Sequence, residues 1–323
     1  MKNLDHYYDI LKNEKNPNYL ETKNKKVEAD LEADLDTLWK YHENKEPGST
    51  SLLDLKARIA EKVIENCQLC ENRCGVNRGE KQKGLCDTTA VSRFSSDFLH
   101  RGEEPELVPS YTIFFTGCTF DCVYCQNWEI SQKKRKGDPV HPEKMAKKIV
   151  RKKLEGAKNV NFVGGDPLPN LPIILKTLSK FEAEIPIIWN SNMYMTKQSM
   201  KLLNGVVDLY LADFRYGNDE CAKKLSSIDN YFETLKSNLK ESKKQADILL
   251  RHLVLPNHLE CCTQPIAEWC AQELGKDVRF NLMFQYRPEY KAKSYPEIDR
   301  RLTNQEKDRA TKIIEEEGLE NLV

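Results

Sequence analysis

Residues 111–125 read Tyr-Thr-Ile-Phe-Phe-Thr-Gly-Cys-Thr-Phe-Asp-Cys-Val-Tyr-Cys, an apolar run that ends in three closely spaced cysteines. The run 111–115 has the aromatic and β-branched make-up of a strand. Cys118, Cys122 and Cys125 follow it as Cys-x3-Cys-x2-Cys. Three thiolates on one short loop suit a cubane iron–sulfur cluster, because iron prefers soft sulfur ligands. Such a [4Fe–4S] cluster keeps one iron without a protein ligand, and a small molecule can bind there. Taken alone, the triplet also fits a zinc knuckle short of one ligand, or chance clustering among 11 cysteines.

Outward from this stretch, short apolar runs alternate with longer amphipathic ones, the pattern of repeated βα units. Strands are expected at 111–116, 159–163, 185–189, 207–212, 248–255 and 278–283. Helices are expected near 142–155, 171–181, 197–203, 231–244 and 266–274. Periodicity leaves a barrel and a doubly wound sheet both open. In a barrel, polar residues at the carboxyl ends of the strands face the active site.

Those ends carry suitable groups. After the second strand come Gly164, Gly165 and Asp166, where glycines permit close backbone approach and a carboxylate accepts from an ammonium. Alone, this is also an ordinary turn. Asn190, Ser191 and Asn192 follow the third strand and suit ribose hydroxyls or a carboxylate. Asp213 and Arg215 follow the fourth, two residues apart and so on one face of an extended chain; a surface ion pair is the plainer reading. Arg251 and His252 lie in the fifth strand, with His258 beyond it, and either histidine also suits a purely structural place.

The cysteine triplet at the end of a first strand resembles the signature of the radical S-adenosylmethionine (SAM) superfamily. Segments 117–131, 161–171, 188–217 and 251–263 resemble the pyruvate formate-lyase activating enzyme group within it, and more closely its iron–sulfur homologue branch in bacteria and archaea. The likeness runs from about residue 67 to about residue 293. It implies a partial (β/α)6 barrel, an α/β fold, with a [4Fe–4S] cluster on Cys118, Cys122 and Cys125 and SAM on the open iron. By the same resemblance, Tyr124 lies near the adenine and Gly164, Gly165 and Asp166 hold the methionine amine. Asn190, Ser191 and Asn192 match the activases' Asp-Thr-Asn, Asp213 and Arg215 their Asp-Leu-Lys, and 251–257 the strand ending in Val-Pro-Gly. This chain departs from the pattern in three places. Asp166 is a methylene shorter than the usual Glu, and Asn190 lacks the charge of an Asp that helps hold a monovalent cation. Arg215 keeps the charge of Lys with different donor geometry.

The implied chemistry is reductive cleavage of SAM to a 5′-deoxyadenosyl radical that abstracts hydrogen, an anaerobic reaction fed by a donor such as ferredoxin or flavodoxin. Activase-like action on a partner protein is one expectation. A non-protein substrate and a non-enzymatic electron carrier are the alternatives.

A second group, Cys67, Cys70, Cys74 and Cys86, lies upstream as Cys-x2-Cys-x3-Cys-x11-Cys. It suits structural zinc, which would staple a loop-rich segment, or a second [4Fe–4S] cluster. Cys261 and Cys262 are candidates for a hydrogen donor or an extra ligand, while Cys221 and Cys270 read as packing residues.

The 323-residue chain is 39% hydrophobic and 31% charged, with 50 basic and 50 acidic residues. That balance gives no global field towards nucleic acid or anionic lipid. The basic stretches 133–136 and 147–153 read as solvated faces. No apolar run approaches the roughly 20 residues that span a bilayer, and the first eight residues lack a secretory pattern. A cytoplasmic protein without membrane contact is expected, with cysteines serving as metal ligands rather than disulfides. The expected organisation is a helical extension (1–60), a four-cysteine metal-binding module (61–107) and the radical SAM core (108–323), with helices near 29–41 and 52–64.

Overall fold

The computed structural model describes residues 3–132 and 137–323, so the basic stretch 133–136 lies outside the described residues. The strands are β1 (Lys26–Val27), β2 (Thr50–Ser51), β3 (Arg93–His100), β4 (Ser110–Phe115), β5 (Asp138–Pro139), β6 (Asn159–Gly164), β7 (Ile187–Ser191), β8 (Leu209–Asp213), β9 (Asp247–Leu253) and β10 (Arg279–Met283). β1 and β2 form a small antiparallel pair. The others form one sheet in the order β10-β9-β8-β7-β6-β4-β3-β5. From β4 to β10 every neighbour is parallel, and β3 and β5 add an antiparallel edge.

Helices Pro142–Leu154, Leu171–Leu178, Lys197–Leu203, Tyr231–Gln245 and Gln264–Trp269 make the crossovers. With helix Asn304–Glu317 after β10, the six expected βα units are present, in an α/β fold with a mostly parallel sheet. Phe114, Val163, Asn190, Asp213, Arg251 and Met283, one from each parallel strand, line a single cavity, so the sheet curls as a partial barrel. Their outward neighbours, among them Trp189, Ala212, Leu250 and Phe280, are buried beneath the helices.

The chain before the barrel differs from expectation in detail. The helix read at 29–41 is Leu35–Asn44, because the Asp34 side chain caps it by accepting from Thr37 N at 2.9 Å. Helices Asp5–Leu11 and Asn18–Asn24 precede it. They close the amino end of the barrel, where Leu4 and Tyr7 pack with Ile188, Leu209, Leu211 and Leu249. Burying each such side chain contributes about 1.5–3 kcal/mol. The buried Asp208 carboxylate ties the same segment down, accepting from Asn18 N at 2.8 Å and meeting His6 Nε2 at 3.0 Å. No helix of the described residues is long and apolar enough to cross a membrane.

Candidate active site

The cavity at the carboxyl ends of the strands measures about 370 Å³. Cys118, Cys122 and Cys125 all line it, on the loop that leaves β4. Two glycines bring that loop against the next strand. Gly164, at φ +133°, sits where a Cβ would lie 2.1 Å from Phe115 O, and a Cβ on Gly165 would lie 2.1 Å from Gly117 O. Only backbone fits between these turns.

Each sulfur has its own polar partner. The Cys118 thiol donates to Gly165 O at 3.3 Å and receives Phe120 N–H at 3.4 Å and Asn192 Nδ2 at 3.5 Å. Cys122 accepts from Ser226 Oγ at 2.9 Å. Cys125 shares a 3.1 Å hydrogen bond with Ser131 Oγ. Burial pushes the Cys122 thiol up to about 11 and the Cys118 thiol well above its ordinary value. Three thiols turned into one cavity, with donors aimed at their sulfurs, fit a cluster whose iron supplies the positive charge that burial withholds.

Asn190, Ser191, Asn192, Asp213, Arg215 and Arg251 line the same cavity, as do Tyr124 and the Gly164–Gly165 turn. Arg215 joins two strand ends, donating from Nε to Asn192 Oδ1 at 2.9 Å and from Nη2 to Asp213 Oδ2 at 2.6 Å. Tyr124 Oη meets Tyr216 Oη at 2.8 Å, and Tyr216 Oη meets Ser226 Oγ at 2.5 Å, so one chain of hydroxyls ends on Cys122.

Two expected cofactor contacts face elsewhere. Asp166 is outside the cavity wall: its Oδ1 accepts from Leu168 N at 2.9 Å, and its Oδ2 accepts from Asn192 N at 3.0 Å and Ser191 Oγ at 3.1 Å. Burial pushes its carboxyl up to about 6. It anchors the end of β7 from behind. His252 is a correction of sequence parity. Residues alternate across a strand, so Arg251 and Leu253 face the cavity and His252 faces the helices. There its Nδ1 bonds Phe214 O at 2.8 Å and its Nε2 bonds Thr263 Oγ1 at 2.9 Å.

Sequence reading missed the carboxylates that hold Arg251. The guanidinium donates from Nε to Glu104 Oε1 at 2.7 Å and from Nη2 to Glu104 Oε2 at 2.6 Å, and also pairs with Glu103. Both glutamates come from the turn between β3 and β4. Three glutamates around Pro105 were the only local signal. Ser226 was missed too, because nothing in its surroundings marks it, and Tyr216 was given no role although it lies in the segment 188–217.

Cys67, Cys70, Cys74 and Cys86 come together beside the triplet loop. Cys70 feels the charges of the other three, and burial pushes it up to about 12. Asn72 Nδ2 donates to Thr119 O at 2.8 Å, and Cys86 O lies against Gly117. Among the described residues, the group with all its ligand atoms within 4.8 Å of one another is a different one: Cys221, His258 and Cys261. Cys261 and Cys262 do not line the cavity. Cys270 is buried, as a packing residue would be, but Cys221 is not a plain packing residue, since its thiol meets Cys261 Sγ at 3.8 Å.

This fold and site define a class: the chain carries a radical SAM superfamily domain, and members of that superfamily bind SAM and generate a 5′-deoxyadenosyl radical. The family model described as "Radical SAM superfamily" matches residues 112–270. The chain is similar to "Uncharacterized protein MJ0674" of Methanocaldococcus jannaschii, 51% identical over 276 residues that cover 84% of this chain and 80% of that protein. It is 22% identical to "Uncharacterized protein MJ0808" of the same organism over 271 residues, 75% of this chain and 77% of that one. Among solved structures it is similar to SuiB of Streptococcus suis bound to S-adenosylmethionine, at a TM-score of 0.46 and 12% identity, covering 62% of this chain and 44% of that one. It is also similar to methylornithine synthase (PylB), at a TM-score of 0.45 and 11% identity, covering 97% of this chain and 77% of that one.

Proposed function

We propose that this protein is an activase-like radical SAM enzyme that takes a hydrogen atom from a partner protein. The observation that carries the reading is the triplet Cys118, Cys122 and Cys125 opening into a cavity walled by Asn190, Asn192, Asp213 and Arg215. Once bound there, the cluster and SAM supply the 5′-deoxyadenosyl radical. The chain's own residues position and enclose them. Arg215, fixed between Asn192 and Asp213, presents a cation to the SAM carboxylate. Gly164 and Gly165 offer backbone carbonyls to its amine, the role that Asp166 is turned away from. Asn190 and Ser191 suit the ribose hydroxyls, and Tyr124 closes the wall beside the cysteines.

A protein substrate is supported by the resemblance of segments 117–131 and 188–217 to activases and by the lining residues Gln126, Asn127, Gln132 and Gln285. Each of these amides offers a donor and an acceptor, as a peptide backbone requires. The upstream cysteines suit a second cluster that relays electrons from a donor such as ferredoxin or flavodoxin. A structural zinc on the same four thiolates, stapling this loop-rich segment, is the other reading of the group.

The test is anaerobic reconstitution with iron and sulfide, followed by electron paramagnetic resonance with and without SAM. The expected result is a reduced-cluster signal that shifts with SAM and is lost from the Cys118→Ala/Cys122→Ala/Cys125→Ala variant, with 5′-deoxyadenosine released on reduction. A signal indifferent to SAM would leave an electron carrier instead. Glycyl-radical formation on a candidate partner then separates a protein substrate from a small one.

A further inference from the structure

Three thiols and an imidazole meet outside the cavity, where the loops after β8 and β9 touch. Cys221 lies in the first turn of helix Asp219–Ser226. Asn218 caps that helix, its Oδ1 accepting from Cys221 N at 2.8 Å while its Nδ2 donates to Cys261 O at 2.7 Å. Cys261 and Cys262 occupy a π-turn, Leu259–Thr263, packed so tightly on Gly217 that a Cβ there would lie 2.7 and 2.8 Å from their carbonyl oxygens. Backbone packing thus sets the sulfurs together. Cys261 Sγ is 3.8 Å from Cys221 Sγ and 4.0 Å from Cys262 Sγ.

His258 completes the group. Its Nδ1 lies 2.7 Å from Pro256 O. A carbonyl oxygen only accepts, so Nδ1 carries a proton and Nε2 is the nitrogen left to meet the Cys221 thiol. A backbone carbonyl that fixes the tautomer in this way is the usual support of a metal-bound imidazole. The ligand atoms of Cys221, His258 and Cys261 all lie within 4.8 Å of one another.

We propose that Cys221, His258, Cys261 and Cys262 bind one zinc-class divalent ion. Tetrahedral coordination with zinc–sulfur bonds of about 2.3 Å separates sulfurs by about 3.8 Å, the spacing found between Cys221 and Cys261. The ion ties the loop after β9 to helix Asp219–Ser226. The far end of that helix holds the triplet loop: Leu225 O accepts from Val123 N at 2.9 Å, and Ser226 O from Asp121 N at 3.2 Å. The site is therefore a staple on the frame of the cysteine loop, and it stands whether or not the proposed protein substrate does.

The test uses the full chain, purified without oxygen and supplied with Zn²⁺, then freed of loose metal by a mild chelator. Zinc and iron are counted in the wild type and in Cys221→Ser/Cys261→Ser. The serine pair is expected to hold one zinc equivalent fewer per chain at unchanged iron. Equal zinc in the two proteins would overturn the proposal, as would a Cys221–Cys261 disulfide found by mass mapping of the wild type. His258→Cys provides a second decision where the serine pair does not fold. It is expected to keep the zinc while X-ray absorption loses the nitrogen ligand, and an unchanged spectrum would sink the assignment.

Discussion

Ser226 Oγ donates a hydrogen bond to Cys122 Sγ at 2.9 Å, across 104 positions of sequence. The hydroxyl sits at the end of a helix whose last carbonyls also hold the triplet loop, so it cannot drift from the sulfur. Hydrogen bonds to cluster sulfurs stabilise the more electron-rich state and tune the reduction potential.

Removing this donor should make the cluster harder to reduce. If the bond favours the reduced state by about 1 kcal/mol, Ser226→Ala lowers the midpoint by about 40 mV for one electron. A potentiometric titration followed by electron paramagnetic resonance measures the shift, and an unmoved midpoint would assign Ser226 to packing alone.

Arg215 binds Asn192 and Asp213 at once, and both are cavity residues. Lysine keeps the charge but lacks the fork that spans two acceptors. Arg215→Lys should therefore weaken SAM binding, and Arg215→Gln should weaken it further, by about 10-fold to 100-fold if a charge-assisted pair worth about 1.5–3 kcal/mol is lost. Anaerobic equilibrium dialysis with SAM gives the affinities. Equal affinity in wild type and Arg215→Gln would remove the guanidinium from the binding scheme.

Gly164 permits no side chain. Its φ of +133° disfavours L residues, and a Cβ would meet Phe115 O at 2.1 Å. Gly164→Ala is expected to cost about 3 kcal/mol through combined strain and overpacking. The denaturation midpoint in urea checks this, with Gly156→Ala as a control, since a Cβ there meets nothing within 4 Å and only its φ of +97° strains the chain.

Glu103 and Glu104 hold Arg251 from one side of the barrel. Deleting both leaves a buried cation without a partner, for which about 3–5 kcal/mol is lost. Glu104→Ala alone should cost less, because Glu103 remains. Chemical denaturation of the single and double variants separates the two contributions, and a neutral double variant would show that the pairs merely balance their desolvation.

The parallel strands were legible because both of their faces are covered: Tyr111–Phe115 and Leu209–Ala212 read as almost unbroken apolar runs. The cavity wall was legible for a related reason, since Asn190, Asp213 and Arg215 are polar where such runs stop. β3 was not, because its half-exposed edge position mixes Ser, Asp and His with two Phe. Arg251's partners lie 147 and 148 positions away, and no periodicity joins them. Cys221 was misread because a π-turn brings Cys261 to it from 40 residues on. Asp166 shows another boundary: the sequence placed a carboxylate at the strand end, but only the fold decides that it bonds Ser191 and Asn192.

His252 gives a pH dependence with a definite sign. Burial lowers its pKa from 6.5 to about 4, while Phe214 O raises it only in part. Between those values the unfolded chain takes up a proton that the folded chain refuses. The contribution to stability is therefore fully present above pH 6.5 and is lost as pH falls towards 4, amounting to roughly 3 kcal/mol at 1.36 kcal/mol per unit. His42, lowered to about 3 by burial, adds a term of the same sign. Asp166 opposes them: its raised pKa of about 6 favours the folded state in acid and gives up that advantage as pH rises through 6. A comparison of variants removes the other terms. A glutamine at this position can donate to Phe214 O and accept from Thr263 Oγ1 without titrating. His252→Gln should thus lose roughly 3 kcal/mol less than the wild type between pH 7 and pH 4, measured by urea denaturation at each pH. Parallel stability curves for the two proteins would mean that His252 takes up its proton in the folded state, and that the space between β9 and the helices is wet.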